Sequence, residues 1–137
     1  MCFTENTFKI ENYMNNKEIG DFGEKLASDY LIKNKYLIIR RNCRVGFDEV
    51  DIIARPPDGT LLFIEVKTMS CINSPLRGFM PEDHMTRFKL KKISRACQRF
   101  SVQNPDLIKE EKGWRIDLIA VVLKTERTGI LRHYKNL

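Results

Sequence analysis

The sequence predicts an α/β fold in which helices flank one mixed, five-stranded sheet. Two segments, 17–33 and 83–102, carry apolar residues at the three- and four-residue spacing of amphipathic helices. Runs rich in Ile, Leu, Val and Tyr predict five strands, at 36–41, 49–54, 60–68, 114–124 and 130–134. The order is helix, three strands, helix, two strands, without an internal repeat. This order favours an α/β sandwich around a single sheet.

Length and composition are those of one ordinary globular domain. A chain of 137 residues with 42% hydrophobic residues can bury one core and is too short for two. It contains no apolar stretch of membrane-spanning length, and its first residues lack the layout of a secretory signal. We therefore expect a cytoplasmic protein. The four cysteines include no C-x-x-C pair, which argues against a zinc site or a disulfide framework.

The N-terminal segment differs from the rest of the chain. Residues 1–16 are polar and asparagine-rich without a sustained hydrophobic period, so they are predicted to form a flexible arm. Residues 17–137 are predicted to form a single domain. Its first helix is expected to end at Asn34. Gly20 and Gly23 weaken that helix, which indicates that another part of the chain approaches this face closely.

An acid and an amine alternate near the end of the strand 60–68. Residues two apart in a strand share a face, so Glu65 and Lys67 project together. A hairpin that turns at the Pro-Pro-Asp-Gly sequence 56–59 would bring Asp51 beside them. Carboxylate and carbonyl oxygens suit Mg²⁺ or Mn²⁺. The spacing therefore predicts that Asp51, Glu65 and the Val66 carbonyl hold such an ion against a phosphate.

The first helix adds a fourth candidate catalytic residue, Glu24. It borders the buried stripe of the helix, and it can complete the metal site or hold water if the helix packs over this end of the sheet. Phosphodiester hydrolysis needs neutralised phosphate charge and an activated water, which a carboxylate-held metal supplies. Lys67 would orient that water or face the phosphate.

Each candidate also has an ordinary structural interpretation. Asp51 and Glu65 can lie on a solvent-facing side of the sheet, with Glu65 and Lys67 as a modest surface ion pair. Glu24 can be a helix-edge glutamate. The spacing alone is a loose pattern, so the prediction of a site depends on the combination of these residues with a basic helix.

The second helix is strongly basic. The net charge is +6, and no acidic residue falls between His84 and Asn104. A ladder of exposed cations on this helix is predicted to bind nucleic-acid phosphates: Arg87, Lys91, Arg95 and Arg99. Lys89 lies on the inward edge, where it either contacts nucleic acid or extends past Phe100 to water. A merely solvated basic face is the alternative.

These residues resemble the YraN-like family of small uncharacterised bacterial proteins. The family signature Gly-x-x-Gly-Glu-x-x-Ala stands at 20–27, followed by Tyr30 and Leu31. Further matching segments follow in family order: Arg41-Asn42 with Arg44, 49–51, 63–68, Lys89 with Ile93, and 115–117. The resemblance covers nearly the whole chain from Lys17 onward.

The resemblance implies a restriction-endonuclease-like core of the PD-(D/E)xK type, similar to archaeal Holliday-junction resolvases. In those proteins a glutamate, an aspartate and an E-x-K motif coordinate magnesium. The matching positions here are Glu24, Asp51, Glu65 and Lys67. Arg44 joins the expected nucleic-acid contacts.

Two positions depart from the family pattern. Asp48 stands where a glycine is usual, and it adds negative charge near the expected site. Met69 stands where an arginine is usual, which removes an expected phosphate contact.

Three classes of function follow. The leading prediction is an Mg²⁺-dependent endonuclease-like protein that acts on DNA, including branched DNA. A cutter of symmetric junctions needs two sites and hence a homodimer. The second class is a nucleic-acid-binding module that keeps the fold without cleaving. The third is a protein-interaction domain whose basic helix docks an acidic partner.

Overall fold

The structure is a computed structural model that describes residues 3–71 and 85–137. Its elements are β1 (Phe3–Lys9), α1 (Asn16–Lys33), β2 (Leu37–Val45), β3 (Asp48–Arg55), β4 (Leu61–Ser70), α2 (Arg87–Gln103), β5 (Trp114–Leu123) and β6 (Thr128–Tyr134). The strand order is β1-β6-β5-β4-β3-β2. The pair β4–β5 is parallel and the other neighbours are antiparallel, so the sheet is mixed, as predicted.

The sheet has six strands, and the prediction of five strands is wrong. The additional strand, β1, lies inside the segment 1–16 that the sequence predicts as a flexible arm. It pairs with β6 from Phe3 opposite Tyr134 to Lys9 opposite Thr128. All its side chains except Phe8 are exposed, so the strand carries no hydrophobic period. Its backbone pairing with β6 defines it instead.

Helix α1 follows its sequence signals closely. Asn15 and Glu18 form a capping box at its start, and Asn34 caps its end. The expected close approach occurs at Gly23, which packs against β4, whereas a side chain at Gly20 would meet open space. The predicted close approach to this face is therefore confirmed at Gly23 and does not extend to Gly20.

Strands β2, β3 and β4 form the predicted antiparallel meander. In the turn between β3 and β4, the Gly59 N–H donates to the Pro56 carbonyl over 3.0 Å. Gly59 has a φ of 92°, a left-handed conformation that favours glycine. This turn sets the relative positions of β3 and β4, which carry most of the candidate site.

The two helices cover opposite faces of the sheet. Helix α1 packs on a cluster that includes Ala27, Leu31, Ile52 and Ile64. Helix α2 packs on a cluster that includes Ile53, Phe63, Ile93 and Cys97. Successive side chains of one strand therefore pack in clusters on opposite faces of the sheet, as expected of a sheet that is buried on both faces. Neither α1 nor α2, nor any other helix in the described ranges, has the length and apolar character needed to cross a bilayer.

Candidate active site

The candidate site lies where β3 and β4 separate. Their backbone ladder ends at Ile52 opposite Ile64, and one further step of the same register would place Asp51 opposite Glu65. The Val66 N–H instead donates to Asp51 Oδ2 over 2.8 Å. A carboxylate side chain thus replaces the backbone acceptor at the opening between the strands.

The carboxyl groups of Asp51 and Glu65 lie close to each other. Burial, the nearby charge of Glu65 and, more weakly, that of Glu24 raise the pKa of Asp51 to about 7, although the hydrogen bond from Val66 acts against the increase. Two carboxylates this close repel each other when both are ionised. A proton on one of them, or a cation between them, removes the repulsion. The pair is therefore suited to binding a cation.

Two lysines from different elements contact the same carboxylate oxygen. Lys67 Nζ on β4 and Lys89 Nζ on α2 each lie 3.3 Å from Glu65 Oε1. Burial and Lys67 lower the pKa of Lys89. Burial also acts to lower the pKa of Lys67, but Lys89, Glu65 and Asp51 outweigh it and raise that pKa. Lys89 therefore belongs to the acidic cluster and does not extend past Phe100 to water.

Helix α1 brings Glu24 to this region through close packing at Gly23. A Cβ on Gly23 would overlap the Thr68 hydroxyl on β4, so glycine permits the approach. Burial and neighbouring carboxylates, including Glu65, raise the pKa of Glu24, while a hydrogen bond from the Asn42 side chain opposes the increase. Glu24 thus contributes to the negative field of the site.

The fit to a metal ion is partial. Across residues 3–71 and 85–137, no three His, Cys, Asp or Glu side chains form a ready metal-binding group. Glu24 is therefore near Asp51 and Glu65 without joining them in one ligand set. Mg²⁺ usually takes only one or two protein carboxylates and keeps several waters. Two facing carboxyl groups meet that requirement.

Apart from Lys89, the predicted phosphate-binding residues lie outside the carboxylate cluster. Five of them are exposed: Arg44, Arg87, Lys91, Arg95 and Arg99. Arg95 and Arg99 line a cavity of about 320 Å³ with Lys92 and Phe47, neither of which was among the predicted site residues. The sequence could have indicated Phe47, because an aromatic residue directly after Gly46 lies in a turn, where its side chain does not pack on a face of the sheet.

A second acidic centre lies on β5. Asp117 accepts hydrogen bonds from His133 Nε2 at 2.7 Å, Arg115 Nε at 3.0 Å and the Asn136 N–H at 2.9 Å. Burial would raise the pKa of Asp117, but these hydrogen bonds outweigh it and hold the pKa below its usual value. His133 lies on the neighbouring strand β6, whereas Arg115 lies on the same strand as Asp117. Asp117 is satisfied by protein groups.

The sequence of the chain matches one family of known proteins. The profile of the uncharacterised protein family UPF0102 matches residues 23–121. The chain belongs to this family. The match confirms the resemblance to the YraN-like family. The UPF0102 profile covers all four candidate catalytic residues as well as Asp117.

Several UPF0102 proteins match most of the chain. The chain is 35% identical over 121 residues to the UPF0102 protein of Trichlorobacter lovleyi, covering 88% of this chain and 90% of that protein. It is 34% identical over 110 residues to that of Caldicellulosiruptor bescii, covering 80% and 87%. With that of Dictyoglomus thermophilum, identity is 36% over 111 residues, covering 80% and 86%.

Proposed function

We propose that this UPF0102 protein is a metal-dependent endonuclease that hydrolyses phosphodiester bonds in cytoplasmic DNA, and that its sheet and helices are a restriction-endonuclease-like core. One observation carries the proposal. The neighbouring carboxyl groups of Asp51 and Glu65 lie at the opening between β3 and β4, and the ammonium groups of Lys67 and Lys89 each lie 3.3 Å from Glu65 Oε1. The carboxylate oxygens would bind a cation, and the neighbouring ammonium groups would bind a phosphate.

Three groups would hold Mg²⁺ or Mn²⁺. Asp51 and Glu65 supply carboxylate oxygens. A residue in an antiparallel strand presents its N–H and C=O to the same neighbour, so the Val66 carbonyl faces the same gap as the N–H that contacts Asp51. When bound, the ion would neutralise charge on the scissile phosphate and help to ionise water.

The lysines and Glu24 act around this ion site. Lys67 and Lys89 both contact Glu65 Oε1, and their ammonium groups would donate to the non-bridging oxygens of a phosphate bound beside it. Lys67 would also orient the attacking water. Glu24 would accept a hydrogen bond from water on the α1 side.

The basic surface supports DNA as the polyanionic partner. Helix α2 has no acidic residue, and the chain carries a net charge of +6. Each phosphate that a cation neutralises releases counterions, which strengthens binding at low salt. We extend the proposal to branched DNA, where two symmetric cuts would require a homodimer.

A cleavage assay tests the proposal directly. Purified protein is incubated with supercoiled, linear, single-stranded and four-way-junction DNA and Mg²⁺ or Mn²⁺. We expect wild-type protein and the exposed control Asp106→Asn to cleave, and Asp51→Asn and Lys67→Ala to lose about 100-fold or more in rate. Cleavage that persists in Asp51→Asn, or none with either metal, contradicts the proposal.

A second candidate is a DNA-binding module that does not cleave. The net charge of +6 and the acid-free helix α2 favour it, because they suit phosphate binding without any metal. DNA binding without cleavage under either metal would support this candidate. Failure to bind DNA at low salt would favour a surface for an acidic protein.

A further inference from the structure

The turn between β2 and β3 carries an aromatic ring that projects fully into solvent. Phe47 is completely exposed, although burying a phenylalanine ring is normally favourable. Beside it lies the cavity of about 320 Å³ described above, between this turn and α2. We call this cavity, with Phe47 at its edge, the hairpin cleft.

Cations of α2 form one wall of the hairpin cleft. Lys92, Arg95 and Arg99 follow at helical spacings of three and four, so they share one stripe. Lys92 Nζ lies 3.7 Å from Asp48 Oδ1 and ties the helix to the turn. Within residues 3–71 and 85–137, no carboxylate lies within ion-pair distance of Arg95 or Arg99. These two guanidinium groups are available to an anion.

The side chain of Arg99 lies against the turn itself. Its Nη1 atom lies so close to Gly46 that a Cβ there would overlap it. Gly46 has a φ of 64°, so glycine serves both the turn and the arginine. The stripe also continues toward the start of α2 with Phe88, which is 77% exposed.

The hairpin cleft adjoins the carboxylate site along α2. Lys89 contacts Glu65, and Lys92, one turn later, contacts Asp48. On β3, Asp48 precedes Asp51 by three residues, a distance of roughly 10 Å. A chain of phosphates that reaches Asp51 and Glu65 can therefore continue past Arg95 and Arg99.

We propose that the hairpin cleft binds an unpaired stretch of the DNA strand beside the cleavage site, with Phe47 stacked on a base and Arg95 and Arg99 on backbone phosphates. This inference depends on the proposed function and names its substrate class. Intact duplex hides its base faces in the stack, whereas unpaired bases offer them to aromatic side chains. Cations alone would suit any polyanion, but an exposed ring among them favours unpaired bases.

Binding measurements without metal test the hairpin cleft separately from cleavage. Full-length protein in EDTA at low salt is titrated, by fluorescence anisotropy, into a labelled oligothymidine, an abasic strand of equal length and a blunt duplex. We expect wild-type protein to bind oligothymidine most tightly. Phe47→Ala should weaken oligothymidine binding about tenfold and leave the abasic strand and duplex unchanged.

Matched variants control for charge and folding. Leu37→Ala removes an exposed apolar side chain at the other end of β2 and should change nothing. Arg95→Ala and Arg99→Ala should weaken both single-stranded probes and each reduce the salt slope by about one, whereas Lys33→Ala should not. Thermal unfolding should show that all variants remain folded.

Two results would overturn the inference. One is equal affinity of Phe47→Ala and wild type for oligothymidine, and the other is wild-type binding of duplex as tight as that of oligothymidine. Either result leaves the cleavage assay untouched. Conversely, a protein that never cleaves can still show the base-dependent loss in Phe47→Ala, so the two failures are distinguishable.

Discussion

Asp51 and Asp117 are both withdrawn from solvent, yet their surroundings act in opposite directions. Asp117 is fully buried, and its hydrogen bonds from His133, Arg115 and the backbone hold its pKa below the usual value. Asp51 receives one backbone hydrogen bond and faces another carboxyl group, so its pKa rises to about 7. Hydrogen-bond donors surround Asp117, whereas Asp51 lies beside other carboxyl groups.

The difference separates a structural carboxylate from a candidate ligand. Asp117 leaves no oxygen for an outside group, because protein donors already satisfy it. Asp51 and Glu65 repel each other once both are ionised, and a bound cation would remove that repulsion. The contrast therefore predicts opposite effects of substitution on stability.

The largest expected effect is at Asp117. Asp117→Ala removes the acceptor for His133 and Arg115, which stay within the fold with lost partners. We expect the free energy of unfolding to fall by about 3 kcal/mol or more. Urea denaturation measures it, with the exposed Asp106→Ala as a control that should change stability by less than about 0.5 kcal/mol. Equal stability of the two variants would show that the network around Asp117 contributes little.

Asp51 should show the opposite sign, with a dependence on pH. A carboxyl group whose pKa is raised on folding binds more protons in the folded state. Its favourable contribution is fully present below its ordinary pKa of 3.8 and is lost as the pH rises through about 7. In EDTA at mildly alkaline pH, Asp51→Asn should therefore be more stable than wild type, by on the order of 2 kcal/mol.

The measurement is the free energy of unfolding across this pH range for both proteins. The charged groups that face Asp51 from β4, α1 and α2 are the same in both: Glu65, Lys67, Glu24 and Lys89. The two stability curves should diverge as the pH rises and meet at acid pH. Parallel curves would mean that ionised Asp51 is not destabilising.

The smallest expected effect concerns the packing of α1 beside the site. Gly23→Ala places a methyl group against Thr68 and should destabilise by about 1 to 2 kcal/mol. Gly20→Ala meets open space and should stabilise by about 0.5 to 1 kcal/mol, because alanine favours helix. Thermal unfolding of both variants measures the difference. Matching shifts would show that α1 does not approach β4 closely at Gly23.

Much of the fold was predictable from local patterns. The capping residues of α1, the turn at 56–59 and the apolar runs of β3 and β4 are short-range signals. Strand β1 was not predictable, because its side chains are exposed and only the free edge of β6 pairs it. Long-range pairing of this kind leaves no periodic trace in the sequence.

In the candidate site, too, local patterns predicted some residues and long-range packing determines the others. Spacing placed Glu65 beside Lys67, and the turn placed Asp51 near both. The contact of Lys89 with Glu65 depends on how α2 crosses the sheet, which helix periodicity does not determine. His133 was likewise hidden, although a lone Asp117 at the start of an apolar strand indicated that a buried partner was needed.

Binding of Mn²⁺ shows whether Asp51 and Glu65 form a cation site. Isothermal titration calorimetry compares wild type, Asp51→Asn and the exposed control Asp106→Asn. We predict a binding event in wild type and Asp106→Asn that is lost in Asp51→Asn. Equal binding by wild type and Asp51→Asn, or no binding by wild type, would contradict it.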